Sequence, residues 1–225
     1  MIDISGKEFR LQLYLGRYVI FILSNILIYL SYYKLAKDWN WELQIKTNSV
    51  HYRNITNLIL LSTTIYVFGN YDNRWDWMMF FVTFASALGF GYLAEQPFLK
   101  TSVSADDIKK WSIKTKSFFI GVFALIFALA IYHIKLAFDK KIAMVYLIMF
   151  GLVMFVYLGL PYFIQKQENG VAYHPHHWTI FWILAIFTRF NTIISKVCAG
   201  ICLGIYIQGS SMYNNDRFLG SIFDH

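Results

Sequence analysis

Seven apolar blocks divide the 225-residue chain, and they constrain its fold more than any motif does. They lie near residues 17–33, 56–70, 75–94, 117–134, 142–164, 175–189 and 192–212. The hydrocarbon core of a bilayer is about 30 Å thick, which a helix of about 20 residues crosses at about 1.5 Å per residue. Backbone N–H and C=O groups find no water there, so a crossing segment must satisfy them internally, as a helix does. The first, third, fourth, fifth and seventh blocks reach that length once a few interfacial residues are added. The second carries Asn57, Thr63 and Thr64 and is expected to face other helices rather than lipid. The sixth is short: from Pro175 to Thr188 a helix covers only about 21 Å. The expected fold is therefore an all-α, polytopic helical membrane bundle of six or seven transmembrane spans with short loops. It forms a single integral membrane domain over residues 1–225, and its last two blocks make a tight hairpin broken at Arg189, Phe190 and Asn191.

Composition points the same way. Hydrophobic residues make up 57% of the chain and charged residues 15%, against about 45–50% and about 25% in an ordinary soluble domain. So little charge cannot cover the surface of a water-soluble body. The net charge of +7 sits in short connections between the blocks, where lysine and arginine anchor helices at lipid headgroups. No basic stripe of the kind that tracks a phosphate backbone is present, so nucleic acid is not an expected partner. Membrane lipids and other transmembrane proteins are. Sorted on a seven-span topology, the basic residues divide nine to eleven, which leaves orientation undecided under the positive-inside rule. The membrane of residence is likewise open, between endoplasmic reticulum and mitochondrial inner membrane in a eukaryotic cell. The first block ends in Tyr32, Tyr33 and Lys34 rather than in a small-residue cleavage site, which predicts a retained anchor helix. The connection 101–117 sets Ser104, Asp106 and Asp107 before Ile108 and Trp111, which fits either a capped short helix lying in the interface or a solvated loop.

One cluster of chemistry-bearing residues stands out. Residues 173–182 read YHPHHWTIFW, placing His174, His176 and His177 at the start of the sixth block. On the seven-span topology they share a side with Glu95, which closes the third block, and with Asp216. An ionisable group at membrane depth is usually turned inward and paired. Imidazoles and carboxylates are zinc-type ligands, and a catalytic metal site needs three protein ligands with one position open. His174 and His177 are three apart and can share a helix face, whereas His176 joins them only if Pro175 keeps the segment irregular. The plainer reading is structural: Pro175 suits a first helical turn, and histidine and tryptophan suit a headgroup boundary. No cofactor is expected on that reading; a metal ion held by His174, His176 and His177 is the alternative. Haem is disfavoured, since His133 alone lies near a span and no opposed axial pair exists.

Cys198 and Cys202 are four apart in an apolar block, too far along one helix to close a disulfide. With Gly200 and Gly204 they read as a close-packing face, because glycines four apart let two helix backbones approach. Nucleotide-binding loops, nucleophile elbows and paired metal-protease histidines are absent.

Three functions fit these residues. The leading expectation is a non-catalytic subunit or scaffold of a membrane protein complex. The second is an intramembrane enzyme acting on lipid or quinone through His174, His176, His177, Glu95 and Asp216. The third is a small transporter or channel.

Overall fold

The computed structural model describes residues 15–71, 74–99, 105–160, 162–163, 171–173, 177–212 and 219–221. Eight α-helices carry the apolar blocks: α1 (Leu15–Asp38), α2 (Asn48–Phe68), α3 (Trp77–Ala94), α4 (Ala105–Lys110), α5 (Ile113–Asp139), α6 (Ala143–Met154), α7 (His177–Phe187) and α8 (Ile193–Met212). Polar residues mark where several of them begin. Thr47, Asp76 and Ser112 each accept a hydrogen bond from the N–H three residues on, which satisfies a donor that a first turn leaves free. Thr192 does the same for Ser195 at the head of α8. Outside the helices, a short antiparallel ribbon pairs Val171–Tyr173 with Leu219–Ser221.

Among the described residues four helices, α1, α3, α5 and α8, are long and apolar enough to cross a membrane. That is fewer than the six or seven expected, and two blocks account for much of the difference. The fifth block, anticipated as one helix over 142–164, is helical at every described residue from 143 to 163, but a π-helical turn at Phe155–Gly159 interrupts it and leaves a regular α6 of only 12 residues. Pro161, two residues past that turn, has no N–H to offer the carbonyl of Tyr157, and a widened turn is a usual response to a broken ladder. The sixth block gives an α7 of only 11 residues, about 16 Å of helix. The short helix expected between residues 101 and 117 is present as α4.

Helix α8 is the hub. It is flanked by α1, α2, α3 and α7, and 72% of its span is buried. Helix α5 is the opposite case, with 6% of its span buried. Together with α6 it forms a hairpin on the outside of the bundle, and α6 supplies the contact to α7. The α8 axis lies close to α3 because Gly200 and Gly204 face it: a methyl on Gly204 would meet the Thr83 carbonyl and Ser86, and one on Gly200 would meet Val82. Cys198 and Cys202 are free thiols on the same buried helix. At one end of the bundle Phe21 closes an aromatic cluster, its ring 5.4 Å from Tyr66, 5.4 Å from Tyr71 and 5.0 Å from Trp75.

Candidate functional site

Of the residues singled out from the sequence, His174, His176 and Asp216 lie outside the described residues. His177 is the first residue of α7. Glu95 caps the C-terminus of α3, and its carboxylate accepts the Glu42 N–H at 2.6 Å, tying that helix end to the α1–α2 connection. Among the described residues no three histidines, cysteines or acids come together as a metal-binding group.

Two buried polar regions emerge that the motif search does not reach. The first is built on Arg74, in the α2–α3 connection and 1% exposed. A helix leaves its last carbonyls without intrahelical donors, and α7 ends inside the bundle, where water cannot replace them. Arg74 supplies what is missing. Nη1 donates to the Thr188 carbonyl and, at 3.2 Å, to that of Phe190; Nη2 donates to Gly69 at 2.6 Å and Nε to Asn70 at 3.2 Å. One guanidinium thus closes the C-termini of both α2 and α7, at the ends where a helix dipole favours positive charge. Tyr71 donates to Ala185 at 3.2 Å and Tyr146 to Phe187 at 2.8 Å, completing the set. Beside it, His133 of α5 sits 3.1 Å from Ser195, whose hydroxyl also accepts the Phe190 N–H. The other ring nitrogen of His133 faces the Leu129 carbonyl at 2.7 Å, so that nitrogen carries the proton and Ser195 donates to the imidazole. This Ser–His pair fastens α5 to the start of α8.

The second region is a polar file at the junction of α1, α2 and α8, built from residues four or eight apart on each helix: Asn25 and Tyr29, Asn54 and Ser62, Tyr206 and Ser210. All are fully or almost fully buried, and the spacing puts each set on one helix face. Asn25 donates to Ser62 at 3.1 Å. The Tyr206 hydroxyl lies between Ser62 and Ser210, without a well-formed hydrogen bond to either. Asn54 donates to the Ser210 carbonyl at 3.4 Å and lies beside Tyr29. The file ends at the face carrying Lys46 and His51. Lys46 donates to the Ser210 carbonyl at 2.9 Å and lies over the rings of Tyr29 and Tyr33. Tyr29 and His51 share a hydrogen bond of 3.0 Å. Partial burial, and then the nearby Lys46 ammonium, hold the His51 pKa below its ordinary value, so the ring is neutral at pH 7. A neutral ring accepts the Tyr29 proton. Among the described residues Asn25 Oδ1, Tyr206 Oη and Ser210 Oγ have no well-formed hydrogen bond.

A third feature is on the outside. Gly121, Ala124 and Ala128 of α5 are exposed, and a methyl built on Gly121 meets nothing within 4 Å. Phe123, Leu125 and Phe127 stand exposed around them. This is the same kind of small-residue spacing that α8 uses internally at Gly200 and Gly204, here turned outward.

Compared with known protein families, curated proteins and solved structures, the chain matches none.

Proposed function

We propose that the chain is a multi-pass integral membrane protein that serves as a non-catalytic subunit of a membrane protein complex. The observation that carries this reading is the contrast between α5 and α8. Helix α5 is 27 residues long and strongly apolar, yet only 6% of its span is buried by its own chain. Lipid alone is an adequate solvent for such a helix. What favours a protein partner is the stripe of Gly121, Ala124 and Ala128, because small residues in register give a second helix close backbone approach and gain nothing against fluid lipid tails. The occupant is a transmembrane helix of another polypeptide, and the rest of the bundle makes up the platform that presents α5 to it.

The test uses the full chain extracted in mild detergent from its native membrane, with a photo-crosslinking residue at Phe123 or Phe127. The expected result is a crosslink to one defined polypeptide in fixed ratio, lost in Gly121→Leu and Ala124→Leu, while the protein's own melting midpoint is unchanged. Crosslinks to lipid only, on a monodisperse monomer indifferent to both substitutions, would overturn the reading.

A further inference from the structure

We propose that Asn25, Ser62, Tyr206 and Ser210 form an internal binding site for the hydroxyl group of a small uncharged molecule, either water or a membrane-soluble alcohol. The inference stands apart from the subunit reading, since it concerns the opposite, buried side of the bundle. It rests on three fully buried polar atoms of one cluster, Asn25 Oδ1, Tyr206 Oη and Ser210 Oγ, that make no well-formed hydrogen bond among the described residues, although the Tyr206 hydroxyl lies near Ser62 and Ser210. Buried polar atoms are almost always hydrogen-bonded, because leaving one unmatched forfeits its hydration with no return. Three in one file therefore mark a place where a bound group completes the set.

The chemistry of the file narrows that group. Asn25 Oδ1 only accepts, since its amide nitrogen is committed to Ser62 at 3.1 Å. The Tyr206 and Ser210 hydroxyls each donate and accept. A hydroxyl that donates to Asn25 and accepts from the other two satisfies all three at once. A cation does not fit, because the file holds no carboxylate to balance it and the Lys46 ammonium, 2.9 Å from the Ser210 carbonyl, repels it; an anion would face the acceptor Asn25 Oδ1. Moving a cation into such surroundings without a countercharge is strongly unfavourable.

Radiolytic hydroxyl labelling of the full chain in lipid nanodiscs tests the water arm, because an ordered internal water delivers its radical to the side chain it touches. Tyr71 is the control: it is equally buried, but its hydroxyl is bonded to the Ala185 carbonyl. Tyr206 labelling several-fold faster than Tyr71, and falling to the Tyr71 rate in Asn25→Leu, identifies water. Native mass spectrometry tests the alcohol arm, in which a neutral adduct of single mass stays with the chain and is lost in the same variant. Should Asn25→Leu fail to fold, Ser210→Ala replaces it in both measurements. Tyr206→Phe supplies an independent sign. Removing a hydroxyl that holds a ligand lowers the melting midpoint, whereas removing an unmatched one raises it. A Tyr206 rate equal to that of Tyr71 together with no adduct overturns the proposal, as does a raised midpoint for Tyr206→Phe.

Discussion

The two buried polar regions of the bundle are built on opposite terms. Around Arg74 the carbonyls of Gly69, Asn70, Ala185, Phe187, Thr188 and Phe190 all receive a donor. In the file of Asn25, Ser62, Tyr206 and Ser210, three side-chain atoms receive none. The difference separates architecture from function. A short helix that stops inside an apolar bundle cannot exist unless its last carbonyls are matched, so the Arg74 region is complete by necessity. Side chains on a continuous helix face no such demand, since the backbone beneath them is already satisfied. Polar groups left unmatched there are tolerated when something outside the chain completes them.

If that distinction is right, the largest loss of stability comes from breaking the complete region. Arg74→Met strands the carbonyls of Gly69, Thr188 and Phe190, at about 1–3 kcal/mol for each buried group left unmatched. Several kcal/mol is a large part of the stability of most domains, and the variant is expected to unfold well below the wild-type midpoint or to fail to accumulate. Arg74→Lys should recover only part of the loss, because a single ammonium cannot reach carbonyls on two separate helix ends. Unfolding followed by detergent titration or heat measures both, and a wild-type midpoint for Arg74→Met would refute the capping argument.

A pair of glycine substitutions sharpens the same comparison on the apolar faces. Gly204→Val places a side chain where the Thr83 carbonyl and Ser86 already are, and overpacking of this kind costs about 1–3 kcal/mol. Gly121→Val meets open space on α5, so the chain's own stability should hardly change. Equal losses for the two would mean that α5 is packed as tightly as α8, against the reading that its small-residue stripe faces a partner. Smaller again is Tyr146→Phe. It removes one donor, to the Phe187 carbonyl at 2.8 Å, and should lower stability by about 1 kcal/mol. A neutral result there would show that the end of α7 has a substitute donor.

How far these features can be read from sequence depends on whether they are local. The apolar blocks are local, and helices stand on them. The glycines at 200 and 204 are visible as a spacing, and the structure sets them against α3. The brevity of α7 is legible from Pro175 and the polar residues near Thr188. Its consequence, a demand for donors, is not, because Arg74 is more than a hundred positions away and reads as one more loop cation. The polar file escapes a motif search for a similar reason. Asn25, Ser62 and Tyr206 belong to three distant helices, and only the four-residue spacing of polar side chains inside each apolar block hints at them. An apolar block also conceals where its helix changes pitch, as at the π-helical turn before Pro161. The histidines at 174 and 176 draw the eye because they are adjacent in sequence, which says little about what surrounds them in space.

The smallest expected effect is pH dependence, and it again sets one end of the bundle against the other. At the Arg74 end, partial burial pushes the Asp76 carboxyl up, but the Lys196 ammonium at 2.6 Å and the Met79 N–H outweigh it and hold the pKa below the usual carboxylate value. A depressed pKa stabilises the fold above the unfolded value, near 3.8, and the contribution fades as pH falls from there through the folded value. At the other end, the His51 pKa is depressed by partial burial and by Lys46, so its contribution is complete above the ordinary value of 6.5 and fades as pH drops below it. The mechanism is specific: a protonated ring can no longer accept the Tyr29 hydroxyl. Midpoints measured between pH 7.5 and 5.5 should therefore fall further for the wild type than for His51→Gln, while Asp76→Asn matches the wild type over that range. Identical slopes for wild type and His51→Gln would remove His51 from the titration, and a shallower slope in Asp76→Asn would put it at the wrong end of the molecule.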